Sequence, residues 1–426
     1  MSTQDKLPSE YTFRACLVIA GAFTSLFCTV GFLNSFGIFE EYYAAAQLAH
    51  KSSSTIAWIG AVSIFFLFAI SVASGAMVDI FGPGIMLYIG ATGTVFSVMM
   101  VSLCKEYYQF LLAQGVLLGI SMALVTWPML ALVGQYMKRK RAAAMGIVVA
   151  GSSLGGVVWP VAIERLLQNP HIGFPWTMRI VGFIMLLCLL FTCVAARSPD
   201  KQENNSMEQG TGHESVAVKS EKEVPKPDHK TAALALFKQP SLQLLCLAMF
   251  ITYFGLFSPL VYTTSYAVHE GFSESLSFYT VSIINGASFF GRILPGILAD
   301  KYGKFNCCIV ASLSSGIAAM CWAKVTSVPG LVIWSAAYGF SSGAILSLQQ
   351  ACAAQVATSD TIGLAIGSVV GSTSLSAMVG VPISGALAAK YSYLSLSIYA
   401  GVSLILGGVL LVASRLAQNR QLRAII

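Results

Sequence analysis

Gly75-Ala76-Met77-Val78-Asp79-Ile80-Phe81-Gly82-Pro83 decides how the chain is read, because it has a partner. Gly296-Ile297-Leu298-Ala299-Asp300-Lys301-Tyr302-Gly303-Lys304 repeats its G-x-x-x-D-x-x-G spacing just over half the chain later. Each copy ends a long apolar run with a small residue, an acid and a turn glycine. A repeat at that offset predicts two structurally related halves. The spacing also has a local meaning. Gly75 and Gly296 lack side chains and let a neighbouring helix approach closely. Asp79 and Asp300 then stand where a helix leaves the hydrocarbon, placed to accept backbone N–H bonds from a nearby helix start or to pair with a base. Gly82 and Gly303 permit the positive φ of a tight turn. The plainer reading of either copy is a helix ending in a polar turn.

Outward from these two stretches, charge is sparse and segregated. Hydrophobic residues make up 56% of the chain and charged residues 10%, against about a quarter charged in soluble domains. No Asp, Glu, Lys or Arg interrupts 15–39, 52–78, 80–104, 107–137, 142–163, 180–196, 239–269, 305–323, 325–359, 361–389 or 391–414. Arg292 alone interrupts 275–299. Each gap is about long enough to cross a ~30 Å hydrocarbon layer as a helix. The expectation is an all-α polytopic membrane protein with 12 transmembrane helices in two six-helix bundles. They would occupy 15–196 and 239–415, with tails at 1–14 and 416–426.

The net charge of +7 follows from the positive-inside rule and calls for no nucleic-acid partner. With both termini cytoplasmic, the inner segments collect Lys6, Arg14, Lys138, Arg139, Lys140, Arg141, Lys301, Lys304, Arg415 and the bases of 197–238. The outer segments hold only Lys51, Lys105, Arg165, Arg179, Lys324 and Lys390. The 197–238 segment carries seven basic and seven acidic residues with Pro225 and Pro227, and reads as a disordered cytoplasmic linker. Ten cysteines show neither a disulfide framework nor zinc spacing. The polar N-terminus has no cleavable signal pattern, so the first span is expected to act as the uncleaved signal.

The local pattern refines several spans. The serine run at Ser52 to Ser54 is a helix cap ahead of the interfacial Trp58, and Trp127-Pro128 predicts a kink. Lys138-Arg139-Lys140-Arg141 leads into small residues at Ala142, Gly146, Ala150, Gly151 and Gly155. The bases are expected to anchor in anionic lipid headgroups, and the small residues to form a close-contact face.

The paired aspartate stretches resemble the loop signature of the major facilitator superfamily, between its second and third helices and again between its eighth and ninth. The first copy lacks the family's basic residues after the aspartate, and the second keeps Lys301 and Lys304, so the resemblance implies a weaker latch in the first half. The basic entry to the fifth span, with Ala and Gly at this spacing, resembles the monocarboxylate-porter family. Asn34-Ser35-Phe36-Gly37-Ile38-Phe39 and Ser54 to Gly60 look like its fungal branch, which includes nutrient importers and exporters of biosynthetic products.

Arg292 is the candidate site's centre. It lies eight residues before Asp300, roughly 12 Å along a helix at about 1.5 Å per residue. A guanidinium at that depth costs at least about 2.5–3.5 kcal/mol, so it must face water, a carboxylate or carbonyls. Function offsets the cost when the partner is an anionic substrate held through two parallel bonds. The competing reading is a structural arginine snorkelling to the cytoplasm. Asn285 and Ser288, seven and four residues earlier, share roughly the Arg292 face. Asn34, Gln114, Tyr253, Gln349 and Gln350 are the other polar residues in the spans, and singly each reads as helix–helix glue. In the monocarboxylate porters an aspartate precedes the matching arginine by four residues and a substrate-binding lysine lies in the first helix. Here those positions are Ser288 and Asn34. The resemblance therefore implies an anion site without the proton-linked acid.

An enzymatic reading lacks residues. The five histidines fall in loops or at span ends, no G-x-x-x-x-G-K-S phosphate loop occurs, and Gly151-Ser152-Ser153 has no histidine partner. No cofactor or metal is expected. The reading reached is a secondary transporter for a small organic anion or carboxylate-bearing metabolite, working as a monomer in the plasma membrane. Arg292, Asn34, Asn285 and Ser288 would form its site. The alternative is a non-transporting nutrient sensor on the same fold, disfavoured by the short tails.

Overall fold

Hydrocarbon offers the backbone no hydrogen-bond partners, so an apolar run long enough to cross it must satisfy its own N–H and C=O groups as a helix. The chain follows that rule. The computed structural model describes residues 12–196 and 229–419, and among these no strand occurs. Twelve helices are long and apolar enough to span: Phe13–Ala45, Ser54–Phe81, Gly84–Val101, Tyr107–Tyr136, Arg141–Leu167, Gly173–Ala195, Pro240–His269, Tyr279–Tyr302, Lys304–Lys324, Val328–Val356, Ile362–Lys390 and Tyr393–Gln418. They are called here the first to twelfth spans.

The first and last spans begin and end on the same face, which we call the terminal face. Two pairs of spans carry the main packing between the halves, the second against the eleventh and the fifth against the eighth. Within the second half the eighth packs on the tenth and the seventh on the twelfth. Backbone crowds backbone at these crossings. A Cβ on Gly75 would lie 2.0 Å from the Gly363 carbonyl oxygen, and one on Gly296 2.6 Å from that of Ala142. Both glycines therefore do what their place in the repeat predicts. Gly82 and Gly303 end their helices at φ +76° and +97°, as the turn reading requires.

The Ser52 hydroxyl accepts from the Thr55 amide at 3.3 Å and caps the second span. Elsewhere the details depart from expectation. The first span does not stop near residue 39 but runs to Ala45, broken at Thr29 and at Asn34-Ser35. In the fourth span Pro128 sits inside the helix, and a second irregularity that the sequence did not suggest is a π-helical turn at Leu111–Leu117. That turn contains Gln114, whose side-chain oxygen takes the Tyr43 hydroxyl at 2.6 Å.

The linker is also not wholly without structure. His229–Phe237 is a helix, although 197–238 reads as disordered by composition. Its last residues belong to a different sequence type: Ala232, Ala233, Leu234, Ala235 and Leu236 are strong helix formers. Leu236 is buried beside the turn at Ser359–Thr361. The rest of the linker reading, 197–228, lies outside the described residues, as do most of both tails.

Candidate functional site

The terminal face is closed by contacts between the halves. The Asp79 carboxylate accepts from the amides of Gly363 at 2.9 Å and Leu364 at 2.7 Å, at the start of the eleventh span. The Asp300 carboxylate does the same for Ala142 and Ala143, both at 2.9 Å, at the start of the fifth. The first amides of a helix have no intrahelical partner and carry its positive dipole end, so a carboxylate suits them on both counts. Each half thus lends one acid and receives one. The two caps have matching geometry, and the missing bases after Asp79 leave its bonds no longer than those of Asp300.

Arg141 corrects the reading of the basic cluster as a headgroup anchor. It folds back, donating from Nε to the Met137 carbonyl at 2.9 Å and from Nη1 to the Ala354 carbonyl of the tenth span at 2.6 Å. It is a third tie between the halves. Lys138 and Arg139 are exposed at the turn before it. Gly146 and Gly151 lie further along the fifth span, against the carbonyls of Arg292 and Phe23.

Between the halves lies a cavity of about 80 Å³. Asn34, Asn285, Ser288 and Arg292, singled out by sequence, all line it. Asn34 and Asn285 face each other over Gly156, where a Cβ would lie 2.7 Å from the Asn34 amide nitrogen and 3.2 Å from the Asn285 oxygen. Arg292 is 4% exposed. Its Nη1 donates to the Val149 carbonyl at 2.7 Å and to the Ser152 hydroxyl, while its Nε has no partner. The depth that made Arg292 conspicuous is therefore offset by carbonyl and hydroxyl acceptors from the fifth span, with part of the guanidinium left over.

The sequence reading missed much of the lining. Ser152 enters the sequence reading only as a nucleophile without a histidine, yet it lines the cavity. Tyr253, Gln349 and Gln350 read singly as helix glue, yet all three line it too. Gln349 does glue, donating to the Tyr253 hydroxyl at 2.7 Å. The one signal was two adjacent amides deep in a span. Phe68, Trp127, Phe257 and Tyr338 add an aromatic wall that nothing in their spacing distinguishes from ordinary lipid-facing rings.

Twelve spans among the described residues, two halves joined at reciprocal helix caps, and a cavity between the halves lined by Arg292 and several amides fit an alternating-access carrier. Comparison with known proteins agrees. The Major Facilitator Superfamily model matches residues 15–329 and 296–424, and the chain belongs to that superfamily. An MFS-type transporter of Aspergillus fumigatus is 44% identical over 96% of this chain and 93% of its own length. The agnestins efflux protein of Paecilomyces divaricatus is 42% identical over 96% and 90%. The aspyridones efflux protein of Emericella nidulans is 38% identical over 95% and 78%. Among solved structures, a human organic anion transporter aligns with a TM-score of 0.69 at 18% identity, covering 95% of this chain and all of that one. The Escherichia coli fucose:proton symporter aligns at 0.70 and 11% identity, covering 95% and 99%. At such identities these two speak for the fold alone. The chain is a multi-pass membrane transporter of small molecules, and the sensor alternative gains nothing from its relatives.

Proposed function

We propose that this chain exports a small organic anion, a carboxylate-bearing secondary metabolite, by alternating access. One observation carries the reading: a buried guanidinium faces the central cavity with its Nε unpaired. An incoming carboxylate can take two parallel bonds from it, which a point charge could not supply. Arg292 is then the anchor, with Asn34, Asn285 and Ser288 as polar contacts. The efflux names of the Paecilomyces and Emericella relatives support export. The resemblance of the fifth-span entry to the fungal branch of the monocarboxylate porters supports an acid as cargo.

In this reading both termini are cytoplasmic, by the positive-inside rule. The terminal face with its exposed Lys138 and Arg139 is then the inner face, and the ties made by Asp79, Asp300 and Arg141 lie on the cytoplasmic side. The protein works as a monomer in the plasma membrane, with 15–196 and 239–415 as the rocking bundles. It binds no nucleic acid and carries out no chemical step. Cysteine labelling from outside tests the orientation: it should reach the segments around His50, His171 and His269 but not residues 200–235, and external labelling of the latter overturns it. Efflux of labelled organic acids from secretory vesicles tests the function; Arg292-independent movement of every acid tried would refute the anchor.

A further inference from the structure

The cavity holds unpaired polar atoms besides the guanidinium. The side-chain oxygens of Gln349 and Gln350 have no hydrogen-bond partner, and their residues are 2% and 3% exposed. Both line the cavity, as do Ser342 and Leu346 on the same face of the tenth span. The Gln349 amide nitrogen is already spent on the Tyr253 hydroxyl. These oxygens are pure acceptors, so a carboxylate cannot satisfy them; only an N–H or O–H donor can. A buried acceptor left unpaired is costly, which makes such a pair selective for a ligand that brings donors.

The same cavity is lined by rings contributed by both halves. Trp127 and Phe68 are 6.0 Å apart between centroids, Phe68 and Tyr253 5.9 Å at 81°, and Tyr253 and Phe257 5.6 Å at 83°. The first pair is tilted at 54° and the other two are edge-to-face, and such rings offer a flat aromatic ligand a surface on which to stack. Tyr338 lines the same cavity. Its hydroxyl is engaged with the Leu256 carbonyl at 2.7 Å, so it offers the ligand a ring rather than a donor.

Resting on the reading that Arg292 anchors an acid, we propose that the cargo is a planar aromatic acid carrying a separate hydroxyl donor. Its acid group meets Arg292, its ring lies along Trp127, Phe68, Tyr253 and Phe257, and its hydroxyl donates to Gln349 and Gln350. The two amide oxygens are then the specificity-determining contacts. The competing state is a cavity in which water satisfies the amides and a donor on the ligand gains nothing.

Three probes separate these: 2-naphthoic acid, 6-hydroxy-2-naphthoic acid and 6-methoxy-2-naphthoic acid, titrated against the purified full chain in nanodiscs. The hydroxy acid should bind at least about tenfold more tightly than the methoxy acid, which keeps the ring and oxygen but has no donor. In Gln350→Leu, which removes an unsatisfied acceptor without adding a polar group, that ratio should shrink several-fold; both probes are read on the same sample, so a misfolded variant betrays itself by binding neither. Equal wild-type affinity for the hydroxy and methoxy acids, both lost in Arg292→Ala, would overturn the donor requirement while leaving the anion reading intact. Binding of all three acids unaltered by Arg292→Ala would overturn the anion reading and this inference with it.

Discussion

Arg292 of the eighth span donates to the carbonyl of Val149 in the fifth span at 2.7 Å, so the chain's deepest charge also bridges its two halves. An interior helix carbonyl already accepts one intrahelical bond and has a second lone pair to offer. The bridge is a neutral acceptor on a charged donor, weaker than a carboxylate would be. An arriving acid can therefore compete for the guanidinium, and rocking the halves apart along this crossing must break the bond to Val149.

Arg292→Ala should abolish transport with expression and membrane insertion intact. Arg292→Lys should restore little, because an ammonium lacks the planar fork. Vesicle flux of a labelled acid measures both; normal flux in Arg292→Ala would favour the snorkelling arginine.

The helix caps predict a change in conformation rather than in binding. Asp79→Asn and Asp300→Asn keep an acceptor but lose the charge, worth about 1 kcal/mol or somewhat more at a partly buried helix start. Cys352 is buried on the tenth span near the Arg141 tie. Its maleimide labelling from the terminal face should rise several-fold in either variant, and further in the double variant. Unchanged labelling would mean that the caps do not hold this face shut.

Gly82 offers a clean backbone test. At φ +76° and ψ 172° a Cβ there would meet nothing within 4 Å, so Gly82→Ala carries only the cost of a backbone region that is essentially glycine's alone, about 1–3 kcal/mol. Gly84, with open space and no positive φ, is the control. A lowered midpoint in thermal unfolding for Gly82→Ala, and none for Gly84→Ala, is the expected outcome.

Coupling is the fourth prediction. Among the described residues no Asp, Glu or His lines the cavity, and Ser288 stands at the position where the resemblance to the monocarboxylate porters implies an aspartate. Glu164 accepts from Gln168 at 3.2 Å near the end of the fifth span, in a half-buried position. Flux in proteoliposomes should respond weakly to an imposed pH gradient and follow the substrate gradient. Accumulation driven by pH and lost in Glu164→Gln would assign that rim acid the missing role.

The architecture was legible because its signals are covalent and repetitive. Charge gaps mark spans, and the duplicated glycine–aspartate spacing marks both crossings and both caps. Arg292, Asn34, Asn285 and Ser288 were legible as polar residues that hydrocarbon does not tolerate without reason. The amides of Gln349 and Gln350 were visible but ambiguous, since a paired and an unpaired amide look alike in sequence. Arg141 was misjudged because its partner, the Ala354 carbonyl, belongs to a backbone that carries no sequence signature. The helix at 229–237 was hidden inside a charged segment whose average composition masked five helix-forming residues.

The two aspartates have one more consequence. Each is received by amide groups of the main chain, at Gly363 and Leu364 and at Ala142 and Ala143. Every amino acid but proline supplies that donor. Side-chain drift at Leu364, Ala142 and Ala143 leaves the donors themselves in place, whereas a change at either acid removes a cap, and at Gly363 a Cβ would lie 2.5 Å from the Gly75 carbonyl oxygen and 2.8 Å from the Asp79 carboxylate. The junction's mutational exposure is thus concentrated in the two acids and in the glycines that let the backbones meet, Gly75, Gly363 and Gly296. Relatives could diversify the receiving helices, and with them whatever those helices recognise, without dismantling the hinge.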